Sequence, residues 1–369
     1  MEDHRPVVVE TGSAMTKAGF AGDEVPDIVF PSVVGVPRHP QIALLMGQNP
    51  QAAYVGEEAN RRRGVLRRRV PIERGLVVHW EEVEQIWHHV FFNELRIALE
   101  EHPILLSEAA LTPREDRERS LQIMFDTFQV PSVYLAVHQV LSLYSSGRLT
   151  GLVVDCAATE CRMAPVCEGI LVAHVVRKLH LGGQDLTQYL MKLLVEKGYC
   201  FTGGSSELEI VEDIKCQECY VALDIRTEEQ EIKSWELPSG DHLHIGSESF
   251  RTPEPLFQPA LIGLEEEGLP QLCQQAIVAS DSDLQAALWS NVVLAGGCSL
   301  LRGLPQRLEL ELKRLEAAVE VVAPEDRKYS AWIGGSLISS MKPFEKMCIS
   351  KDAYCEKGPG IVEGRRWHW

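Results

Sequence analysis

Two stretches of this chain read as worn copies of one another, and that repeat restricts the folds open to it more than any other feature. The first is Val7-Val8-Val9-Glu10-Thr11-Gly12-Ser13-Ala14-Met15-Thr16-Lys17-Ala18-Gly19; the second is Leu152-Val153-Val154-Asp155-Cys156-Ala157-Ala158-Thr159-Glu160-Cys161-Arg162. Each is a β-branched apolar run, a carboxylate, a few small residues and a second extended segment, which predicts a strand, a tight turn and a returning strand. Small residues at such a turn let backbone N–H groups approach an anion. A carboxylate just before it suits Mg²⁺, which keeps several of its waters. Two hairpins of this kind facing one another would clamp a nucleotide polyphosphate. The pattern of hairpin, meander and helix–strand–helix occurs twice, an internal repeat at domain scale, and 369 residues are many for one core; two domains are expected.

The formal charge of −17 argues against nucleic acid as a direct ligand and favours basic partners or plain solubility. Hydrophobic residues make up 45% of the chain, ample for packed cores. No apolar run approaches the length of a bilayer span, and Met1-Glu2-Asp3-His4-Arg5-Pro6 is no signal peptide, so an intracellular chain is expected. The basic runs Arg61-Arg62-Arg63 and Arg67-Arg68-Arg69 read first as a solvated face, with a patch for an acidic partner as the alternative. Ten cysteines without a secretory signal are expected as free thiols. Cys216 and Cys219 form a Cys-x-x-Cys, but within a helical stretch and with no second pair at zinc spacing. Packed or surface thiols fit better there than a metal.

Strand and turn signals run to Pro37, and apolar spacings of three and four then predict a helix over Trp80–Leu99, with Glu81, Glu82 and Glu84 in its first turn. Ile104–Ala109 reads as a strand. Thr112-Pro113 reads as a cap for a helix over Arg114–Phe128. A strand over Val130–Leu135 and a helix over His138–Ser145 follow. The second half predicts helices over Leu186–Lys197, Glu207–Leu223 and Leu304–Val319, with Arg226–Glu236 as a charged connection. Between Arg38 and Ala53, Pro40, Gly47, Asn49 and Pro50 surround an apolar tip with Leu44, Leu45 and Met46, which suits either a buried loop or an exposed contact loop.

Gly12-Ser13, Met15, Lys17-Ala18-Gly19-Phe20-Ala21-Gly22-Asp23 and Phe30-Pro31-Ser32 closely resemble the opening of actin. Further blocks extend the likeness over essentially the whole chain, among them Ile86-Trp87-His88-His89, Asn93-Glu94-Leu95-Arg96, Glu100-Glu101-His102-Pro103, Phe257-Gln258-Pro259 and Trp332-Ile333-Gly334-Gly335-Ser336. The resemblance implies the α/β actin-like fold, duplicated and related to ribonuclease H, with two large domains each carrying an inserted small subdomain and a nucleotide cleft between them. On that basis residues 1–31, 71–145 and 330–369 form the first large domain and 32–70 its insert, with the contact loop at 38–53. Residues 146–181 and 266–329 form the second, and 182–265 its insert, which is shortened after Asp224.

The same resemblance implies a nucleotide site made of Gly12, Ser13, Ala14, Met15, Lys17, Asp155, Gly183, Lys215, Gly296, Gly297 and Lys328. ATP or ADP would bind with Mg²⁺ or Ca²⁺, held through water by Glu10 and Asp155. Departures from the family pattern are many. Glu10 stands for an aspartate and Ala14 for a glycine. In the second hairpin Cys156 replaces a serine, Ala157 and Thr159 replace glycines, and Ala158 replaces the aspartate that reaches the ribose. If Ala14 needed left-handed backbone it would cost roughly 1–2 kcal/mol, and the second hairpin is expected to have lost its permissive backbone. Glu212, Cys216 and Leu301 replace an arginine, a glutamate and a tyrosine in the base pocket. His138 and Arg162 occupy the hydrolytic positions, and Gln139, one residue on, is turned about 100° away on a helix.

Tyr144, Ile338, Met341, Phe344 and Met347 match the family's partner groove, although a stripe at such spacing is as often core. Leu44, Leu45 and Met46 match the loop that inserts into the next subunit. The expected protein is an actin-like structural assembly subunit with a degenerate nucleotide cleft, weak ATP or ADP binding and little or no hydrolysis. Its expected partners are actin, actin-like subunits and actin-binding-type proteins; the germ-line cytoskeleton is the suggested setting. A polymerising slow ATPase using His138 and Arg162, and an actin-related subunit of a nuclear or dynein-linked complex, are the alternatives.

Overall fold

A computed structural model describes residues 4–39, 41, 44, 47, 53–238 and 240–364. The chain divides into two compact units, Met1–Gly147 with Tyr329–Trp369, and Arg148–Lys328.

The first unit is built on a six-stranded sheet. Strands β1 (Val7–Thr11), β2 (Met15–Phe20) and β3 (Ile28–Pro31) form an antiparallel meander. On the other side of β1, β4 (Ile104–Glu108) and β5 (Ser132–Val137) run parallel to it, and Ile349–Ser350 closes the edge antiparallel to β5. Successive strand residues point to opposite faces, and both faces are covered. Val7, Val9, Ile104 and Leu106 pack with Val83, Ile86, Val90 and Phe91. Val8 and Leu105 pack on the opposite face with Leu141, Trp332 and Ile338. Continuous burial explains why β1 reads as an unbroken apolar run rather than an alternating one.

Both long helices of this unit end in π-helical turns. The helix Trp80–His88 continues as His89–Leu95 and stops at Arg96, whose φ of 55° is left-handed, short of the expected Leu99. The helix Arg114–Gln122 continues as Ile123–Thr127. The two π segments meet where Phe91 sets its ring edge-on to Phe128, 5.3 Å between centroids. Thr112 does not cap the second helix; its hydroxyl donates to the Ala109 carbonyl at 2.7 Å. Glu82, in the first turn as expected, is buried and accepts from Arg69 at 2.5 Å.

The second unit repeats the plan. Strands β6 (Gly151–Cys156) and β7 (Cys161–Cys167) form an antiparallel hairpin. On the far side of β6, β8 (Val292–Ala295) and then Val321–Val322 run parallel to it. Arg177–Leu179 pairs with β7 as β3 pairs with β2. The helix from Leu304 ends at Lys313 rather than at Val319; Leu315 beyond it is exposed, and Val319 returns to the core outside the helix. The helix expected from Glu207 runs Ser205–Glu218, and the charged connection contains a strand, Lys233–Glu236, paired with His242–Ile245. Among the described residues no helix is long and apolar enough to cross a membrane.

Candidate functional site

The first hairpin closes through the Gly12 N–H on the Met15 carbonyl at 3.0 Å, and its turn is tied down where the Ser32 N–H reaches the Ala14 carbonyl at 2.9 Å. The register sets Glu10 directly opposite Lys17. Their side chains meet there: Lys17 Nζ lies 2.6 Å from Glu10 Oε1, with only 9% and 10% of the two side chains exposed. The Tyr329 ring lies 5.6 Å from the same ammonium. Glu10 Oε2 is buried and has no hydrogen-bond partner among the described residues. Ala14 is not in left-handed backbone; the described non-glycine residues with positive φ are Arg74, Arg96, Leu111, Gln129 and Glu168. The strain expected of alanine at this turn is therefore absent.

The second hairpin also departs from expectation. Neither Ala157, Ala158 nor Thr159 has a positive φ, so a turn without glycine is unstrained here. The turn closes through the Ala157 N–H on the Glu160 carbonyl at 3.0 Å. Its other carbonyls are capped by a helix: the Gly183 and Gln184 N–H groups donate to Ala157 O and Ala158 O at 3.1 and 2.8 Å. This docking leaves no space at Gly182, where a Cβ would lie 2.6 Å from the Ala158 carbonyl and the Glu160 nitrogen. Gly296 is required twice over, by a φ of +84° and by the Cys156 carbonyl 2.4 Å from where a Cβ would stand.

Arg162 lies opposite Asp155 in the register but is held by a residue that sequence reasoning passed over. Its Nε donates to Glu160 Oε1 at 2.5 Å, and both side chains are buried. On the next strand, burial, followed by the Arg162 charge, pushes the Lys178 ammonium below its ordinary value, with Glu160 opposing. Lys215 is likewise spoken for. Its ammonium donates to the Gly183 carbonyl and to Thr187 Oγ1, each at 2.7 Å, with Glu212 at 3.6 Å. Gly297 sits beside the Lys328 side chain, 3.9 Å from its Cγ to a built Cβ, and Leu301 is buried in the core. Desolvation also raises the thiol of Cys216, an exposed residue.

His138 opens its helix with Nε2 2.9 Å from Ser107 Oγ, which lies 3.3 Å from the Val9 carbonyl. Gln139 is buried, its Oε1 accepting the Ala110 N–H at 3.1 Å, so it points into the core as its helix position requires. His138 and Arg162 belong to different units.

A nucleotide with its cation, which the fold family implies, fits these residues unevenly. The orphaned Glu10 Oε2 suits a hydrated cation. In each unit the cations expected to meet the nucleotide fit poorly: Lys17 and Arg162, expected toward phosphate, and Lys215, expected at the base and ribose, are each engaged by acceptors of their own unit. No hydrolytic step follows from this arrangement.

Of the groove expected for partners, Ile338 and Phe344 are core residues, each 2% exposed, packed with Trp332 and Tyr134. Their spacing marks buried positions on two successive helical segments rather than one docking face. Tyr144 and Met347 pack on that core half-buried, and Met341 is exposed. Pro343 starts a new short helix, Phe344–Met347, after the preceding one ends at Ser339. Leu44 is exposed, whereas Leu45 and Met46 lie outside the described residues, as do the terminal Trp367 and Trp369.

The signals that could have found Glu160 and the Glu10–Lys17 pair were in the hairpins: counting outward from the first turn sets Glu10 opposite Lys17, and the two-residue period of a strand puts Glu160 on the side of Arg162. The Lys215–Thr187 contact joins residues from two helices and left no such trace. A family model described as Actin matches residues 1–367 of the 369.

Proposed function

We infer that this chain, which belongs to the actin family, works as an actin-like structural assembly subunit, with weak ATP or ADP binding at most and little or no hydrolysis. The observation that carries this reading is the internal neutralisation of the cations. A phosphate at the first hairpin would meet a lysine already paired at 2.6 Å, and at the second an arginine already held by Glu160. Displacing such a partner leaves a buried charge unpaired, which costs several kcal/mol and offsets what the phosphate gains. Function then resides on surfaces: among the described residues, Met341 and Leu44 are exposed apolar positions that match the family's contact elements. The partners proposed are actin, actin-like subunits and actin-binding-type proteins in the cytoskeleton, with the germ line as the proposed setting.

The test is to purify the protein without added nucleotide, denature it and resolve the released small molecules by ion exchange. Substoichiometric ADP or ATP from a folded protein is the expected result. Stoichiometric nucleotide, with phosphate release at a rate comparable to that of actin, would instead establish a working ATPase and overturn the proposal.

A further inference from the structure

We propose that Cys156 and Cys161 are a redox modification site, oxidised by a small-molecule disulfide to a cross-strand disulfide that pins the second hairpin shut. This goes beyond the assembly reading and holds whether or not nucleotide binds. The two cysteines face each other at the last register position before the turn. The Ala157 N–H on the Glu160 carbonyl makes the next pair out a hydrogen-bonded one. In an antiparallel ladder the pair types alternate, so Cys156 and Cys161 form a non-hydrogen-bonded pair, with Cα atoms about 4.5 Å apart and side chains at their closest. That spacing lies at the near end of what a disulfide spans, roughly 4.4–6.8 Å between Cα atoms. Both thiols are free, and both enter the same buried cluster. The hydrogen bond to Cys156 is the largest of the effects that raise the Cys161 thiol above its ordinary value, ahead of burial.

The reaction balances without a cofactor. One cysteine thiolate attacks the disulfide RS–SR, forming a mixed disulfide and releasing RS⁻. The facing thiolate then attacks the cysteine sulfur of that bond and releases the second RS⁻. Two protein thiols are oxidised, RS–SR is reduced to two RSH, and the two cysteine protons end on them. Both residues are wholly buried and the Cys161 thiol is raised, so the step waits on local opening of the hairpin and on a scarce thiolate; it is slow at neutral pH and quickens as pH rises, by up to roughly tenfold per pH unit. Closing so short a loop removes little unfolded-state entropy; the effect is to fix the turn, not to raise overall stability.

Trypsin isolates both residues, and no other cysteine, on one peptide, residues 149–162, which Glu160 divides between them. The reduced full-length protein is incubated with oxidised glutathione between pH 7 and 9, the remaining thiols are alkylated under denaturing conditions, and the digest is weighed. The expected product is that peptide unalkylated and two hydrogens lighter, with cleavage after Glu160 failing to separate its halves, and forming faster at higher pH. Cys161→Ser should leave Cys156 either alkylated or as the mixed disulfide, one glutathione heavier; the wild-type digest decides even where that variant fails to fold. Full alkylation of both cysteines, a bond from Cys156 to Cys273 or Cys298 instead, or bonds scattered over the ten cysteines would each overturn the proposal.

Discussion

At Glu10 one methylene decides where a charge goes. The register brings Glu10 and Lys17 face to face, and the longer carboxylate reaches the ammonium in a pocket that water barely enters. Removing one member of a buried pair is strongly destabilising because the other is left unpaired. Glu10→Ala should therefore lower unfolding free energy by roughly 3–5 kcal/mol in urea titrations, and replacing both, Glu10→Gln with Lys17→Met, should recover most of that. Glu108 makes the complementary case for pH. Burial pushes its carboxyl up to about 7, against the pull of its ion-pair partner Arg117, with Asp116 adding a small push in the same direction. Between about pH 4.5, where the unfolded chain releases this proton, and about 7, where the folded one does, stability must fall as pH rises. Thermal midpoints across that window should show the decline, on the order of 3 kcal/mol, and Glu108→Gln should flatten it. A wild-type profile flat from pH 5 to 8 would contradict the assignment.

The hairpins and the helix pair behind the first sheet show what element geometry demands. The helix Ser330–Ser339 packs against His138–Ser145 so closely that a Cβ on Gly334 would stand 1.9 Å from the Leu141 carbonyl oxygen. In an open helix, alanine for glycine gains about 1 kcal/mol. Here the sign should reverse: Gly334→Ala should cost at least about 1–3 kcal/mol through overpacking, read as a lowered urea midpoint with unchanged slope. The turn at Arg74-Gly75, with φ values of 47° and 71°, runs the other way. Both positions are left-handed in a two-residue hairpin, where asparagine precedes glycine with less strain than arginine. Arg74→Asn should stabilise the protein by up to about 1 kcal/mol, provided the arginine's own contacts are worth less; a lower midpoint would show that they are worth more.

Across the whole molecule, stability and assembly should separate at Met341. Its side chain is 47% exposed, while Ile338 and Phe344 on the same stretch are sealed in the core. Met341→Ser should leave the thermal midpoint nearly unchanged, within about 0.5 kcal/mol, yet weaken co-sedimentation with actin or actin-like filaments. Equal binding by the variant would remove this position from the contact surface. The family, the α/β class and the duplicated hairpin plan were legible in the sequence because they rest on local signals: apolar runs, turn residues, and blocks that follow a known pattern in order.

Local pattern also carried the helix His138–Ser145 and the swing of Gln139 away from the His138 direction, though its burial against Ala110 came only from the fold. It failed where a residue's fate rests on distant chain. The helix from Leu304 stopped at Lys313, and Val319, expected on it, reaches the core from beyond its end. The stripe at Ile338 and Phe344 went inside because the sheet face carrying Val8 and Leu105 was there to receive it. Whether the turn alanines were strained depended on backbone angles that composition does not encode. The engagement of Lys17, Arg162 and Lys215 by internal acceptors was settled by which atoms packing brought within hydrogen-bond reach. A residue's type declares what it can bind; three-dimensional proximity determines whether another part of the same chain has bound it first.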